Sequence, residues 1–143
     1  IATEYARNRK AFGKTLGENQ GVQWMLADMH TRLAAARCLV HASADRYDRS
    51  QVDGDSADIG VHASMAKLHA TDLGMQITTD CLQLFGGNGY LKGFPLERFM
   101  RDAKLNQIGE GSSEVHKTVI GRHLLRQAAL QRHPCLDLDG VAL

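Results

Sequence analysis

Two long apolar lines with the period of an α-helix limit what this chain can fold into. Val22, Leu26, Met29, Leu33, Ala36 and Val40 recur at alternating steps of four and three, and so do Ile59, Ala63, Ala66, Ala70, Leu73, Ile77 and, seven further on, Leu84. Residues at these spacings share one face of a helix, so each line is a seam to be buried against other helices. The first predicts a helix over residues 20–49, with Asp28, Arg32 and Arg37 off the seam. The second predicts a helix after the turn SQVDGDSA, with Asp55 as N-cap and Asp58 three positions later. Its small residues permit close approach of a neighbour. Val61, Met65, Leu68, Met75 and Leu82 lie off its line, so this helix buries more than one face, and one face is available to an oligomer.

The remaining segments fit the same architecture. Residues 1–12 read as the end of a helix, with Ile1, Tyr5 and Phe12 on one side and Arg7, Arg9 and Lys10 in the last turns, where cations suit the helix dipole. Gly13 ends it. QLFGGNGY, residues 83–90, breaks the second long helix, and Pro95 suits the first turn of a shorter helix over residues 95–104. Val115, Val119, Ile120, Leu124 and Ala128 mark a last helix. Residues 128–143 are its end and a loosely attached tail, HPCLDLDGVAL, without helical period. Long helices, short connections and no strand alternation predict an all-α protein, an antiparallel four-helix bundle.

Composition narrows the function classes. The 143 residues suit one domain, and 17 basic against 16 acidic side chains give no electrostatic case for nucleic acid or an acidic membrane. No apolar run approaches a membrane span. The chain starts without methionine and as if within a helix, which predicts a piece of a longer protein. Cys38, Cys81 and Cys135 are odd in number and far apart, and read as reduced thiols of an intracellular protein. No glutamate has a histidine three positions later, so the Glu-x-x-His pairs of a di-iron bundle are missing and no metal is expected.

The segment NQIGEGSSEVH, residues 106–116, is where chemistry is expected. Glu110 stands between Gly109 and Gly111, just before a helix whose free N–H groups face a ligand. Gly111 as N-cap with Glu114 three residues on is a candidate capping arrangement. The residues leave two readings open: a carboxylate raised by burial to act as a general base, or a solvated loop glutamate beside a helix cap. GGNG, residues 86–89, follows a helix and lacks the dinucleotide spacing, so a C-cap and tight turn is the plain reading. Arg7, Arg9 and Lys10 beside Phe12 either grip a phosphate and a ring or end a solvated helix.

Three segments, RNRKAFGKTLGENQ (residues 7–20), QLFGGNGYLKGFPLERFMRDAK (residues 83–104) and IGEGSSEVHKTVIGRHLL (residues 108–125), at these separations resemble the C-terminal helical domain of the acyl-CoA dehydrogenase family. The resemblance covers residues 1–127. It implies an FAD enzyme, a homo-oligomer (dimer or tetramer), that converts an acyl-CoA to a trans-2-enoyl-CoA in fatty acid or branched-chain acyl metabolism. It further implies an electron-transfer flavoprotein as partner, and a bacterial cytoplasm or mitochondrial matrix as location. Arg9 would meet the pyrophosphate of a neighbouring subunit's FAD, with Phe12 and Gln20 nearby, and Gln83, Leu84, Phe85, Gly86 and Gly87 would close around its adenosine half. Glu110 would be the catalytic base. Gly109, Gly111, Ser112, Ser113 and Glu114 would line the thioester and the flavin of the same subunit. Many relatives carry tyrosine where this chain has Gly109. IGEG is closer to the isovaleryl-type pattern, in which the base has moved to an earlier helix, yet Glu110 is retained here. The other implied reading is a non-catalytic helical interaction module derived from the family.

Overall fold

Each apolar line becomes one long helix, and the second becomes the element on which all the rest is mounted. The computed structural model describes residues 1–130. Helices α1 (Ala2–Asn8), α2 (Gln20–Asp53), α3 (Ile59–Phe85), α4 (Gly87–Tyr90), α5 (Leu96–Ile108) and α6 (Ser113–Leu130) follow in order. Between α1 and α2 lie a hairpin, β1 (Lys10–Ala11) paired antiparallel with β2 (Lys14–Thr15), and a 3-10 turn, Leu16–Glu18.

Helix α3 packs on α2 along one side and on α5 and α6 along others, as its two apolar lines require. The pairing with α2 is antiparallel: the Cys81 thiol lies 3.8 Å from Met29 Sδ, while Arg46 Nη2 near the other end donates to Ala57 O at 3.3 Å. Helix α6 also runs against α3, with Ser113 beside Asp72 and His123 beside Asp58. The buried hydrophobics are Ala6, Met29, Ala36, Ala66, Leu73, Phe85, Leu96 and Ala103. Half of them are alanine, so the helices approach closely where the seams carry small residues.

Several local expectations are corrected. Helix α1 ends at Asn8, so Arg9 is an extended C-cap residue (φ −74°, ψ 120°) and only Arg7 lies in the last turn. The chain then turns through Phe12 (φ 52°) and Gly13 (φ 83°), a two-residue hairpin with both central residues left-handed, which leaves Phe12 wholly exposed at its tip. The absence of alternation over so short a hairpin hid it from a periodicity reading. Helix α2 continues to Asp53, and Gly54 (φ 73°) caps it by donating its N–H to Ser50 O. Asp55 accepts from the Ala57 N–H within the turn, and Asp58, in a left-handed conformation, is the residue that precedes α3. Helix α5 begins one residue after Pro95 and runs on to Ile108.

Arg32 is also more than a solvated residue: it donates to Gln76 Oε1 at 2.8 Å and pairs with Asp28 and Asp80, tying α2 to α3. Helix α6 presents Val115, Val119 and Leu124 outward and turns Ser113, His116, Ile120 and His123 inward. The expected tail lies outside the described residues, apart from Ala128 to Leu130, which finish α6. Among the described residues, no helix is long and apolar enough to cross a membrane, and no three potential ligands form a metal cluster. Cys38 and Cys81 are free thiols.

Candidate functional site

Aromatic packing builds the first candidate region, at the end of α3. Tyr5 of α1 stacks on Phe85 with centroids 3.7 Å apart, and Phe94 meets both edge-on. Asn88 Nδ2 donates to Tyr5 Oη at 2.9 Å. These contacts hold α1 and the strand after it against the turn that ends α3. Gly86 (φ 57°, ψ −138°) stops the helix in a conformation closed to other residues. Gly89 is needed for space: a Cβ there would lie 2.6 Å from Leu82 O and 2.9 Å from Phe85 Cβ.

The result is an open groove of about 370 Å³ whose wall includes Arg9, Gln83, Leu84, Phe85, Gly86 and Gly87. Six residues singled out from two distant segments therefore share one surface. Arg9 is exposed and has no carboxylate partner among the described residues, and Gly86 and Gly87 are exposed, with open space where a side chain would stand. An unpaired guanidinium beside exposed glycine backbone suits a phosphate-bearing ligand. Phe12 and Gln20 do not line this groove; both are exposed, Phe12 on the hairpin tip and Gln20 at the start of α2.

The second region is the connection from α5 to α6. Glu110 (φ 54°) and Gly111 (φ 91°) are both left-handed, and the Glu110 side chain is exposed. Gly109 N donates to Leu105 O at 2.8 Å, closing α5. Ser112 precedes α6, its carbonyl accepting from the His116 N–H at 3.1 Å, so the helix starts beyond the Gly111 cap expected from sequence. Hydrogen bonds from its own N–H and from the Ser112 hydroxyl hold the Glu114 carboxyl below the ordinary carboxylate range. Ser113 is buried, with its hydroxyl on Asp72 Oδ1 at 2.8 Å. Asp72, Lys104, Gln107, Ser112, Ser113, Glu114 and Lys117 surround a concavity of about 200 Å³ beside this loop.

Comparison with known proteins identifies the frame that carries these two regions. A model of the acyl-CoA dehydrogenase C-terminal domain matches residues 1–125. The chain belongs to the acyl-CoA dehydrogenase family. It is 45% identical over 125 residues to the probable acyl-CoA dehydrogenase fadE25 of Mycobacterium leprae, covering 87% of this chain and 31% of that protein. It is 44% identical over 126 residues to cyclohexane-1-carbonyl-CoA dehydrogenase of Geobacter metallireducens, covering 88% and 32%. The three-dimensional structure of butyryl-CoA dehydrogenase from Megasphaera elsdenii superposes with a TM-score of 0.79 at 42% identity, over 87% of this chain and 31% of that one. The chain thus spans just under a third of these relatives, and it is all-α like the C-terminal helical domain of the family.

Three residues that organise this acyl-CoA dehydrogenase domain were missed from sequence. Tyr5 was placed on a helix face but not against Phe85. Lys67 donates to Gly111 O at 2.6 Å, and Asp72 accepts from Gln107 as well as Ser113. Asp72 was visible in principle: it stands four residues after Leu68 and three before Met75, on the apolar line Val61, Met65, Leu68, Met75, Leu82. A charge in an apolar stripe implies a partner on the helix that covers it.

Proposed function

We propose that the full-length protein is an FAD-dependent acyl-CoA dehydrogenase that introduces an α,β double bond into an acyl-CoA thioester, with Glu110 as the base. The observation that carries this reading is the convergence of Arg9 with Gln83 to Gly87 in one groove, alongside a separate glutamate-bearing loop, in a chain of this family. Arg9 offers its guanidinium to the pyrophosphate of an FAD bound by a neighbouring subunit, and the exposed glycine backbone admits the adenosine half. Phe12 and Gln20, outside the groove, would reach the cofactor from the hairpin tip and from the start of α2.

Bound FAD would supply the two-electron acceptor for the β-hydrogen. Glu110 takes the α-proton, while the backbone of Gly111, Ser112 and Ser113 and the fixed charge of Glu114 border the thioester and flavin. An electron-transfer flavoprotein would be the partner that takes the electrons from the bound cofactor. A homo-oligomer follows from an FAD shared across subunits, and the bacterial origin of the similar proteins supports an intracellular setting.

Changing Glu110→Gln in the full-length protein tests the assignment. Turnover is expected to fall by about 10²- to 10⁴-fold while bound flavin stays, since removal of a general base costs that much. Near-normal bleaching of the flavin by acyl-CoA would move the base elsewhere.

Gly109 supports a refinement of the substrate class. Its backbone is ordinary (φ −70°, ψ 155°), and a Cβ would meet only Leu105 O, at 3.4 Å. The fold does not demand glycine, so the missing side chain leaves room beside Glu110 for a branched or bulky acyl group. Comparing turnover of straight and branched acyl-CoAs tests this: Gly109→Tyr is expected to lower activity on branched substrates selectively.

The solvent-exposed Glu110 side chain favours a second reading, a non-catalytic helical assembly module. Titrating the full-length protein with FAD and then acyl-CoA separates the two, because a module binds no flavin that a thioester can bleach.

A further inference from the structure

The loop that carries Glu110 does not hold itself in place. Glu110 and Gly111 are left-handed in succession, a conformation that a residue with a side chain adopts only against steric resistance. Within the loop the only bonds among the described residues are at its ends and from the His116 ring, whose Nε2 lies 3.2 Å from Glu110 O. That ring also covers Gly111, where a Cβ would lie 3.1 Å from it.

Helix α3 supplies what is missing. Lys67 Nζ donates to Gly111 O at 2.6 Å, the carbonyl of the peptide that joins Gly111 to Ser112, one peptide beyond the Glu110–Gly111 link. One α3 turn and a half later, Asp72 Oδ1 accepts from Gln107 Nε2 at 2.7 Å and from Ser113 Oγ at 2.8 Å. One helix therefore grips the last turn of α5, the middle of the loop and the first residue of α6. Burial acts to raise the Asp72 carboxyl, but the bonds from Ser113 and Gln107 and the Lys117 and Lys67 charges bring it below the ordinary range, so it is ionised at neutral pH.

We propose that Lys67 and Asp72 are positioning residues, a clamp on α3 that holds the loop on either side of Glu110, fixing the left-handed Glu110–Gly111 pair and so the direction of the Glu110 carboxylate. The catalytic part of this inference rests on the reading of Glu110 as the base. The clamp itself rests on the bonds alone.

Both parts are tested in the full-length protein with Lys67→Met and Asp72→Asn, and with Lys67→Arg as the conservative control. Hydrogen exchange of a peptide covering residues 105–116 reads the clamp without reference to activity. Exchange about tenfold faster in Lys67→Met, with the rest of α3 unchanged, is expected from local opening. An unchanged rate in both variants overturns the clamp. Kinetics then read its consequence: kcat is expected to fall about 10- to 100-fold, because small misplacement of a reacting group costs that much, with KM and flavin content unchanged and with recovery in Lys67→Arg. Faster exchange with unchanged kcat overturns the aiming of Glu110. Loss of flavin or a rise in KM in step with kcat would make these residues merely structural and overturn it too. Glu110→Gln separates the layers: if that variant stays active, the base assignment fails, while the exchange result still decides the clamp.

Discussion

Asp72 shows how one side chain can tie three helices and carry a pH dependence with it. Its carboxyl titrates below its unfolded value of 3.8, chiefly because Ser113 and Gln107 donate to the charged form against the opposing effect of burial. A depressed folded pKa gives stabilisation that is complete above the unfolded value and is lost as pH falls through the folded one. The stability difference between the full-length protein and Asp72→Asn is therefore expected to be level above about pH 5 and to shrink below about pH 4. Urea unfolding at a series of pH values measures it, and a difference that grows on acidification would contradict the assignment. Glu110 illustrates the opposite case. Its flanking glycines were legible in sequence, but whether its carboxylate is enclosed depends on what faces it, and within this chain it is exposed.

Among the elements, α3 is the most sensitive to change, because it contacts α2 on one side and α5 and α6 on others. Leu73 is 4% exposed in its middle, and Leu73→Ala is expected to destabilise by about 2–5 kcal/mol, as for other buried leucines. The turn after α3 has a tighter limit. Gly89→Ala puts a methyl group against the Leu82 carbonyl and Phe85 Cβ, so a loss of about 1–3 kcal/mol is expected. Because the same turn walls the Arg9 groove, flavin retention should fall with it; thermal melting and flavin absorbance of the same preparation report both. The element before α2 was the least legible. Thr15 and Glu18 form a local lock in which the Thr15 N–H and hydroxyl both donate to Glu18 Oε2, at 2.6 and 2.7 Å. Neither residue belongs to an apolar period, and a hairpin of two-residue strands leaves no alternation to find.

At the scale of the whole molecule, the exposed apolar side chains are as informative as the buried ones. Leu33 and Val40 on α2, Leu105 and Ile108 on α5, and Val115 and Leu124 on α6 are all exposed, and four of these stand on the apolar seams of α2 and α6. Surfaces of this kind mark contacts. The proteins it resembles are about three times as long, and the proposed FAD site needs residues from more than one subunit. The chain alone is therefore expected to be colourless and inactive; a yellow preparation that oxidises an acyl-CoA would overturn that. In the full-length protein, Arg9→Ala should weaken flavin retention while Arg9→Lys keeps part of it, since a lysine supplies the charge without the planar fork. Equal retention in all three forms, measured by flavin release on dilution, would remove Arg9 from the site.

The periodic positions dictated the helices, since a run of apolar residues three and four apart has no other way to bury one face. The glycines likewise marked where helices stop. Which helix becomes central, which face of α6 turns inward and how Lys67 and Asp72 reach the Glu110 loop were decided only on packing. Those outcomes depend on contacts between residues more than thirty positions apart, such as Lys67 with Gly111 and Asp72 with Gln107. A local period records which faces must be covered, but not what covers them.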